Sequence, residues 1–292
     1  VQHWSATLLE LIRRTSTDLP DDLEQALARA ADGEQGNSTA AAALRTMRCN
    51  AALAREQVAP LCQDTGTLLF WVEAPPELQR DTFAAALRLA VQDATEQGLL
   101  RANCIETLDN RAMPGNWGPG NPVLHWHTAA RRNVRVSLVM KGGGCENVGC
   151  QYALPEQQLH AGRDLDGVRV CLLDAVCRAQ GHGCAPGVIS AVIGGDRATG
   201  FAESKRQFLR RLGQRNPEPR LAELEERVLE QANSLGIGPM GFGGRTTLLD
   251  VFVGTLCRLP ASCFVSVSYM CWAYRRREIL ADNDGTLESW QD

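Results

Sequence analysis

Along residues 5–55 the apolar positions recur at helical spacing. Leu8, Leu9, Leu11 and Ile12 share one face, and Leu23, Leu27 and Ala31 resume the period after Pro20. Asp21 or Asp22 reads as a helix start. Gly33 to Ser38 is a polar break, and Ala-rich Thr39 to Val58 is again helical until Pro60 ends it. The texture then changes. Leu68-Leu69-Phe70-Trp71-Val72 is a short apolar run of strand type, and Phe83 to Leu99 returns to the helical period. Met113 to Pro122 is dense in Gly, Pro and Asn and predicts a loop.

Val123–His127 and Val134–Met140 alternate apolar with polar residues and predict paired strands, with Lys141 to Gly144 as a sharp turn. Val168 to Gln180 predicts a helix, Gly181 to Gly187 a tight turn and Val188 to Ile193 a strand. Arg197–Leu212 and Pro219–Leu235 predict amphipathic helices, and Gly236 to Gly244 is glycine-rich. Val265 to Tyr269 reads as the last apolar strand, followed by Cys271 and a basic group, Arg275, Arg276 and Arg277. The acidic tail 282–292 is expected to fray. Alternating helices and strands predict an α/β (mixed α+β) fold, taken as one domain over 1–292 with a helical N-terminal segment.

The composition, 44% hydrophobic and 22% charged over 292 residues, is that of a globular protein with a sizeable core. A net charge of −4 implies no basic face, so nucleic acid and anionic membrane are not expected partners. No apolar run approaches the roughly 18 residues of a membrane span, and the start shows no signal-peptide pattern, so the expected location is the cytoplasm.

Four turns beside apolar runs are candidates for chemistry: Cys62-Gln63-Asp64-Thr65-Gly66, Lys141-Gly142-Gly143-Gly144, Gly183-Cys184-Ala185-Pro186-Gly187, and Gly238 to Gly244. Glycine lets a backbone approach a ligand and turn N–H groups toward an anion. None of the four closes as a phosphate loop or a dinucleotide fingerprint. The eleven cysteines form no paired C-x-x-C ligands for a zinc ribbon, and most are expected to be buried small hydrophobes. Three distant cysteines on turns instead suit a [4Fe–4S] cube with one iron left open as a Lewis acid.

In order along the chain stand Pro60 to Gly66, Lys141 to Gly144, Gly183 to Gly187, Leu235-Gly236-Ile237-Gly238-Pro239 and Tyr269-Met270-Cys271-Trp272-Ala273. This set resembles the N-terminal domain of class I fumarases and the alpha subunits of two-subunit tartrate dehydratases and fumarases, over nearly the whole chain. The resemblance implies a [4Fe–4S] cluster held by Cys62, Cys184 and Cys271, with Cys263 the competitor for the third place. It implies that Asp64 sits beside and tunes the catalytic base. Gln63, Arg101 and the turn of Gly142, Gly143 and Gly144 are the implied substrate contacts, with Arg111 the alternative to Arg101. The implied activity is reversible hydration of a small C4 dicarboxylate. Fumarate and malate lead, with tartrate or mesaconate as alternatives.

Two departures stand out. The family usually has a substrate-contacting histidine in the stretch held here by Cys257-Arg258-Leu259-Pro260, and His182 is a candidate substitute. Cys145 stands where the family turn often has serine, adding an oxidisable thiol. The resemblance further implies that a beta subunit supplies the general base, in a higher oligomer of alpha–beta pairs. The alternatives of another class are a non-catalytic metal-binding or interaction protein that kept the fold, for which zinc on the three cysteines would speak, and a thiol redox sensor.

Overall fold

The computed structural model describes residues 2–291. In chain order its helices are α1 (Gln2–Thr17), α2 (Asp21–Gly33), α3 (Thr39–Gln57), α4 (Arg80–Glu96), α5 (Gly143–Asn147), α6 (Leu165–Ala179), α7 (Arg197–Arg206) and α8 (Pro219–Ser234). Its strands are β1 (Thr67–Ala74), β2 (Val123–Thr128), β3 (Val134–Lys141), β4 (Cys150–Ala153), β5 (Gly187–Ile193), β6 (Leu248–Thr255), β7 (Phe264–Met270), β8 (Arg275–Ala281) and β9 (Leu287–Trp290). The mixed α/β expectation holds. The chain divides into two compact units, one of residues 1–21, 49–143 and 275–292 and one of residues 22–48 and 144–274.

The first unit is built on a five-stranded sheet in the order β2-β1-β3-β8-β9. Leu68, Phe70 and Val72 of β1 and Val134, Val136, Leu138 and Met140 of β3 alternate onto one face. Trp4, Leu8, Leu11 and Ile12 of α1 and Phe83, Leu87, Ala90 and Val91 of α4 cover that face, with Phe83 edge-on to Trp4 at 5.0 Å. The predicted pairing of β2 with β3 is corrected. β1 lies between them, parallel to β2 and antiparallel to β3, because the connection through α4 carries β2 to the far side of β1.

Two further expectations change here. Val265–Tyr269 is not the last strand, because the basic group forms β8, antiparallel to β3. Arg275, Arg276 and Arg277 are 1%, 6% and 7% exposed, so they are not a solvated cluster. The Arg277 guanidinium donates to Asp18 Oδ2 at 3.0 Å, which makes its burial tolerable. The segment from Asp282, expected to fray, carries β9, which pairs with β8, and Asn283 O accepts the Trp4 indole N–H at 3.0 Å. Asp292 lies outside the described residues.

The second unit has a four-stranded sheet in the order β4-β7-β5-β6, with β5 and β6 parallel and β7 antiparallel to β4 and β5. β4 and β6 were not foreseen. One face is apolar: Ile189, Ala191, Val251, Val253, Val265 and Val267 pack with Val168, Leu172 and Val176 of α6 and Leu221, Leu224 and Val228 of α8. The other face is small and polar, with Ser190, Ser266 and Ser268 buried and Ser268 Oγ 2.8 Å from Ser204 Oγ of α7. Asp164 caps α6 through the Gly167 N–H at 2.7 Å, and Asp196 with Thr199 forms a capping box on α7.

Candidate functional site

In the first unit, β1 and β3 pair with Thr67 opposite Lys141. That register brings the 62–66 turn, which precedes β1, beside the glycines that follow β3. Gly66 has φ +75°, and a Cβ there would stand 2.5 Å from the Lys141 carbonyl. The turn must therefore be glycine at this point. The Gly66 N–H donates to Asp64 Oδ1 at 3.1 Å, and Asp64 N–H donates to Cys62 Sγ at 3.4 Å. Oδ2 of Asp64 rests against Gly142, where a Cβ would come within 2.7 Å of it. Asp64 and Gly142 thus meet, with Gly143 beside them. Lys141, read as part of a turn, ends β3 and is 2% exposed.

Arg101 belongs to the same assembly through its backbone. Its N–H donates to Thr65 Oγ1 at 3.1 Å, and its carbonyl accepts from Asn116 Nδ2 at 2.9 Å. The residue is exposed. Its main chain is pinned to the Cys62–Gly66 turn, and the long side chain is in contact with water. Arg111 differs: its guanidinium pairs with Asp109 at 2.8 Å, both well exposed. Gln63 is exposed on the turn. Sequence reasoning missed Arg275, whose buried guanidinium donates to the Asp64 carbonyl at 2.8 Å and holds the turn from beneath. Its place among three consecutive basic residues hid it.

In the second unit the register of β5 with β7, Val188 opposite Met270, sets the 183–187 turn beside residues 271–272. The Trp272 N–H donates to the Cys184 carbonyl at 3.2 Å, and Cys184 itself has φ +56°. Cys184 and Cys271 are half-buried. Cys263 is 5% exposed and packs in the apolar cluster. Gly144 begins the part of α5 that belongs to this unit, and Cys145 is buried behind it.

Tyr269 packs against the turn that carries Cys184. Its ring lies along the turn so closely that a Cβ on Gly183 would stand 2.4 Å from Cε1 and one on Gly187 2.2 Å from the hydroxyl. Burial raises the phenol pKa far above its usual value, and the nearby Cys271, Cys145 and Cys184 raise it further. The hydroxyl is buried and has no hydrogen-bond partner among the described residues, a state that costs about 1–3 kcal/mol. Sequence reading took Tyr269 as an apolar strand residue, and only the two glycines flanking Cys184 hinted at a ring against the turn.

A pocket of about 560 Å³ opens beside this turn, lined by Gly144, Val148, Cys150, Arg178 and His182 among others. His182 is exposed at its edge. The 257–260 stretch is exposed, and the Arg258 guanidinium is taken up by the carbonyls of Leu259, Pro260 and Ser262 at 3.0–3.3 Å. Arg258 is thus no stand-in for a substrate-binding histidine.

Among the described residues, no group of three or more His, Cys, Asp or Glu side chains is gathered so as to hold a metal ion. A four-iron cube takes its thiolates one per iron, so its ligands need not converge on one point. Each unit, taken by itself, has one feature that suits such a group. Cys62 Sγ already accepts an amide N–H, and a buried hydroxyl without an acceptor stands among the thiols of the second unit. Among the described residues no helix is long and apolar enough to cross a membrane.

The family model described as fumarate hydratase (fumerase) matches residues 5–280. A protein of Geobacillus stearothermophilus named as a class I fumarate hydratase is 43% identical over 288 residues, 97% of this chain and 56% of that protein. The chain therefore spans little more than half the length of that relative. The L(+)-tartrate dehydratase subunit alpha of Escherichia coli K12 is 31% identical over 276 residues, 94% of this chain and 89% of the subunit. A Methanocaldococcus jannaschii protein named for the same subunit is 30% identical over 277 residues, 93% of this chain and 95% of its own.

Proposed function

Because the chain belongs to the fumarate hydratase family, we propose that it is the iron–sulfur part of a hydro-lyase acting on a C4 dicarboxylate, with Cys62, Cys184 and Cys271 as the ligands of a [4Fe–4S] cluster. The match over residues 5–280, which takes in all five turns and motifs, carries this reading. The leading reaction is fumarate plus water to malate, since the relative named for fumarate is 43% identical over nearly all of this chain. Dehydration of L(+)-tartrate is the second reading, favoured by the alpha subunits that match 93–94% of the chain.

When bound, such a cluster supplies a Lewis-acidic iron that makes hydroxide a better leaving group. The rest of the task falls to the protein. Arg101, anchored to the turn through its N–H and to Asn116 through its carbonyl, grips a substrate carboxylate with its guanidinium. Gln63 and the N–H groups of Gly142, Gly143 and Gly144 stabilise charge that develops next to that carboxylate. Asp64, fixed by Gly66 N–H and seated on Gly142, orients and tunes the base that removes the carbon-bound proton. That base and further carboxylate contacts come from a beta-type partner, in an assembly of alpha–beta pairs within the cytoplasm.

The test is anaerobic reconstitution with iron and sulfide, followed by iron analysis and assay with the beta-type partner on malate, tartrate and mesaconate. Cys184→Ser should lower bound iron and abolish turnover, and Cys171→Ser should do neither. Equal effects of the two changes, or a colourless protein with stoichiometric zinc, would overturn the reading.

A further inference from the structure

The buried hydroxyl of Tyr269 has no task in the function proposed above. The ring alone would be served by phenylalanine, which fills the same space without burying an unsatisfied donor. Tyrosine is nevertheless present, and two glycines admit it. Side chains at Gly183 and Gly187 would overlap the ring and the hydroxyl, so the turn carrying Cys184 is shaped to receive this residue. The residue is 3% exposed, so water does not satisfy the hydroxyl from bulk solvent. Cys184 sits in the turn that the ring covers and Cys271 lies two residues along the chain, so the thiols of Cys271, Cys145 and Cys184 are the nearby sulfurs.

We propose that Tyr269 is a positioning residue whose O–H donates a hydrogen bond to a sulfur of the iron–sulfur group bound at Cys184 and Cys271. The inference rests on the cluster assignment made above. A buried donor without a protein acceptor, placed among thiolates, is satisfied when that group is bound. Hydrogen bonds to cluster sulfurs withdraw charge from them and favour the reduced state, so they set the reduction potential.

The experiment compares reconstituted wild type with Tyr269→Phe by iron and sulfide content, by resonance Raman in H₂O and D₂O, and by redox titration. Both proteins should load equally. The iron–sulfur stretching bands of the wild type should shift in D₂O, and the variant should show displaced bands that have lost part of that shift. Its potential should fall, and its cluster should be lost in air several-fold faster. Identical bands, isotope response and potential in two equally loaded proteins would overturn the role of Tyr269 and leave the cluster assignment standing. A wild type that takes up no iron and sulfide would overturn the cluster assignment, and this inference with it. Should the phenylalanine variant not fold, 3-fluorotyrosine at position 269 decides. As a stronger donor of nearly the same size it should move the bands the opposite way, and unchanged bands would refute the proposal.

Discussion

Gly142→Ala separates the geometry of the site from the stability of the fold. Gly142 needs no left-handed backbone, so alanine is not strained there. Its Cβ would nonetheless stand 2.7 Å from Asp64 Oδ2, where ordinary contact begins near 3.4 Å. The carboxylate must retreat by about 0.7 Å, the difference between those two distances. The Gly66 N–H···Oδ1 bond, already 3.1 Å, then passes beyond hydrogen-bonding reach. A hydrogen bond to a charged group contributes roughly 1.5–3 kcal/mol. At about 1.4 kcal/mol per tenfold, turnover should fall about ten- to a hundredfold if Asp64 orients the base. Melting should fall by no more than the several degrees that one such hydrogen bond is worth, because the atom displaced ends a flexible side chain and the backbone stays in place. Gly66→Ala is the contrast. Its Cβ meets backbone at 2.5 Å in a left-handed conformation, so its cost falls on folding. The decisive assay is a double-mutant cycle of kcat/KM with Asp64→Ala. In that background the clash is gone, and Gly142→Ala should have no effect. A full-sized effect there would refute the argument.

Glu225→Ala should cost about 3 kcal/mol in denaturant unfolding, because it breaks the bidentate pair with half-buried Arg210 at 2.6 and 3.0 Å and takes the carboxylate from the buried Val253 N–H. A cost below about 1 kcal/mol would show that Arg210 finds water. Brief alkylation at pH 8 with peptide mapping should label exposed Cys49 and Cys257 and spare Cys171, whose thiol burial pushes up to about 12. Equal labelling of Cys171 would contradict its place in the core. Glu10 is held below the usual carboxyl value of 4.5 by its hydrogen bond to Arg13 and then by Arg14. Its stabilisation is therefore present above 4.5 and lost as pH falls through the lower folded value. Glu10→Gln should flatten the acid limb of stability against pH, and an unchanged limb would remove Glu10 from that account.

Most helices and most apolar strands are legible in the sequence because burial imposes a pattern, although apolar β6 is not. The faces of α1 and α4, the apolar run of β1 and the alternation of β3 are visible for that reason. β8 is not, since three consecutive arginines carry no apolar signal. They lie inside the sheet because partners distant in sequence receive them, Asp18 for Arg277 and the Asp64 carbonyl for Arg275. The pairing of β2 was misjudged because adjacency in sequence favours a hairpin, whereas the chain passes β1 by way of α4. At the site, Cys62, Asp64 and the glycines were named by motif. Thr65 and Asn116 as anchors of Arg101, and Tyr269 behind the Cys184 turn, became visible only through contacts.

The contact of Asp64 with Gly142 is set by strand register and not by the turns alone, and this ties the site to the core. In β3 the residues Val134, Val136, Leu138 and Met140 face the helices. A slip of one residue against β1 would exchange this set for Arg135, Ser137, Val139 and Lys141. Arg135, which faces Glu278 at 3.4 Å, would then be driven among Trp4, Leu8 and Phe83 without a partner. The same slip would move Gly142 away from Asp64 and the Lys141 carbonyl away from Gly66. A register that the core forbids by the cost of burying the Arg135 cation is therefore also one in which the site cannot form. The 62–66 turn can hold its carboxylate in place on a loop because its position is fixed by a largely buried strand pair of its unit.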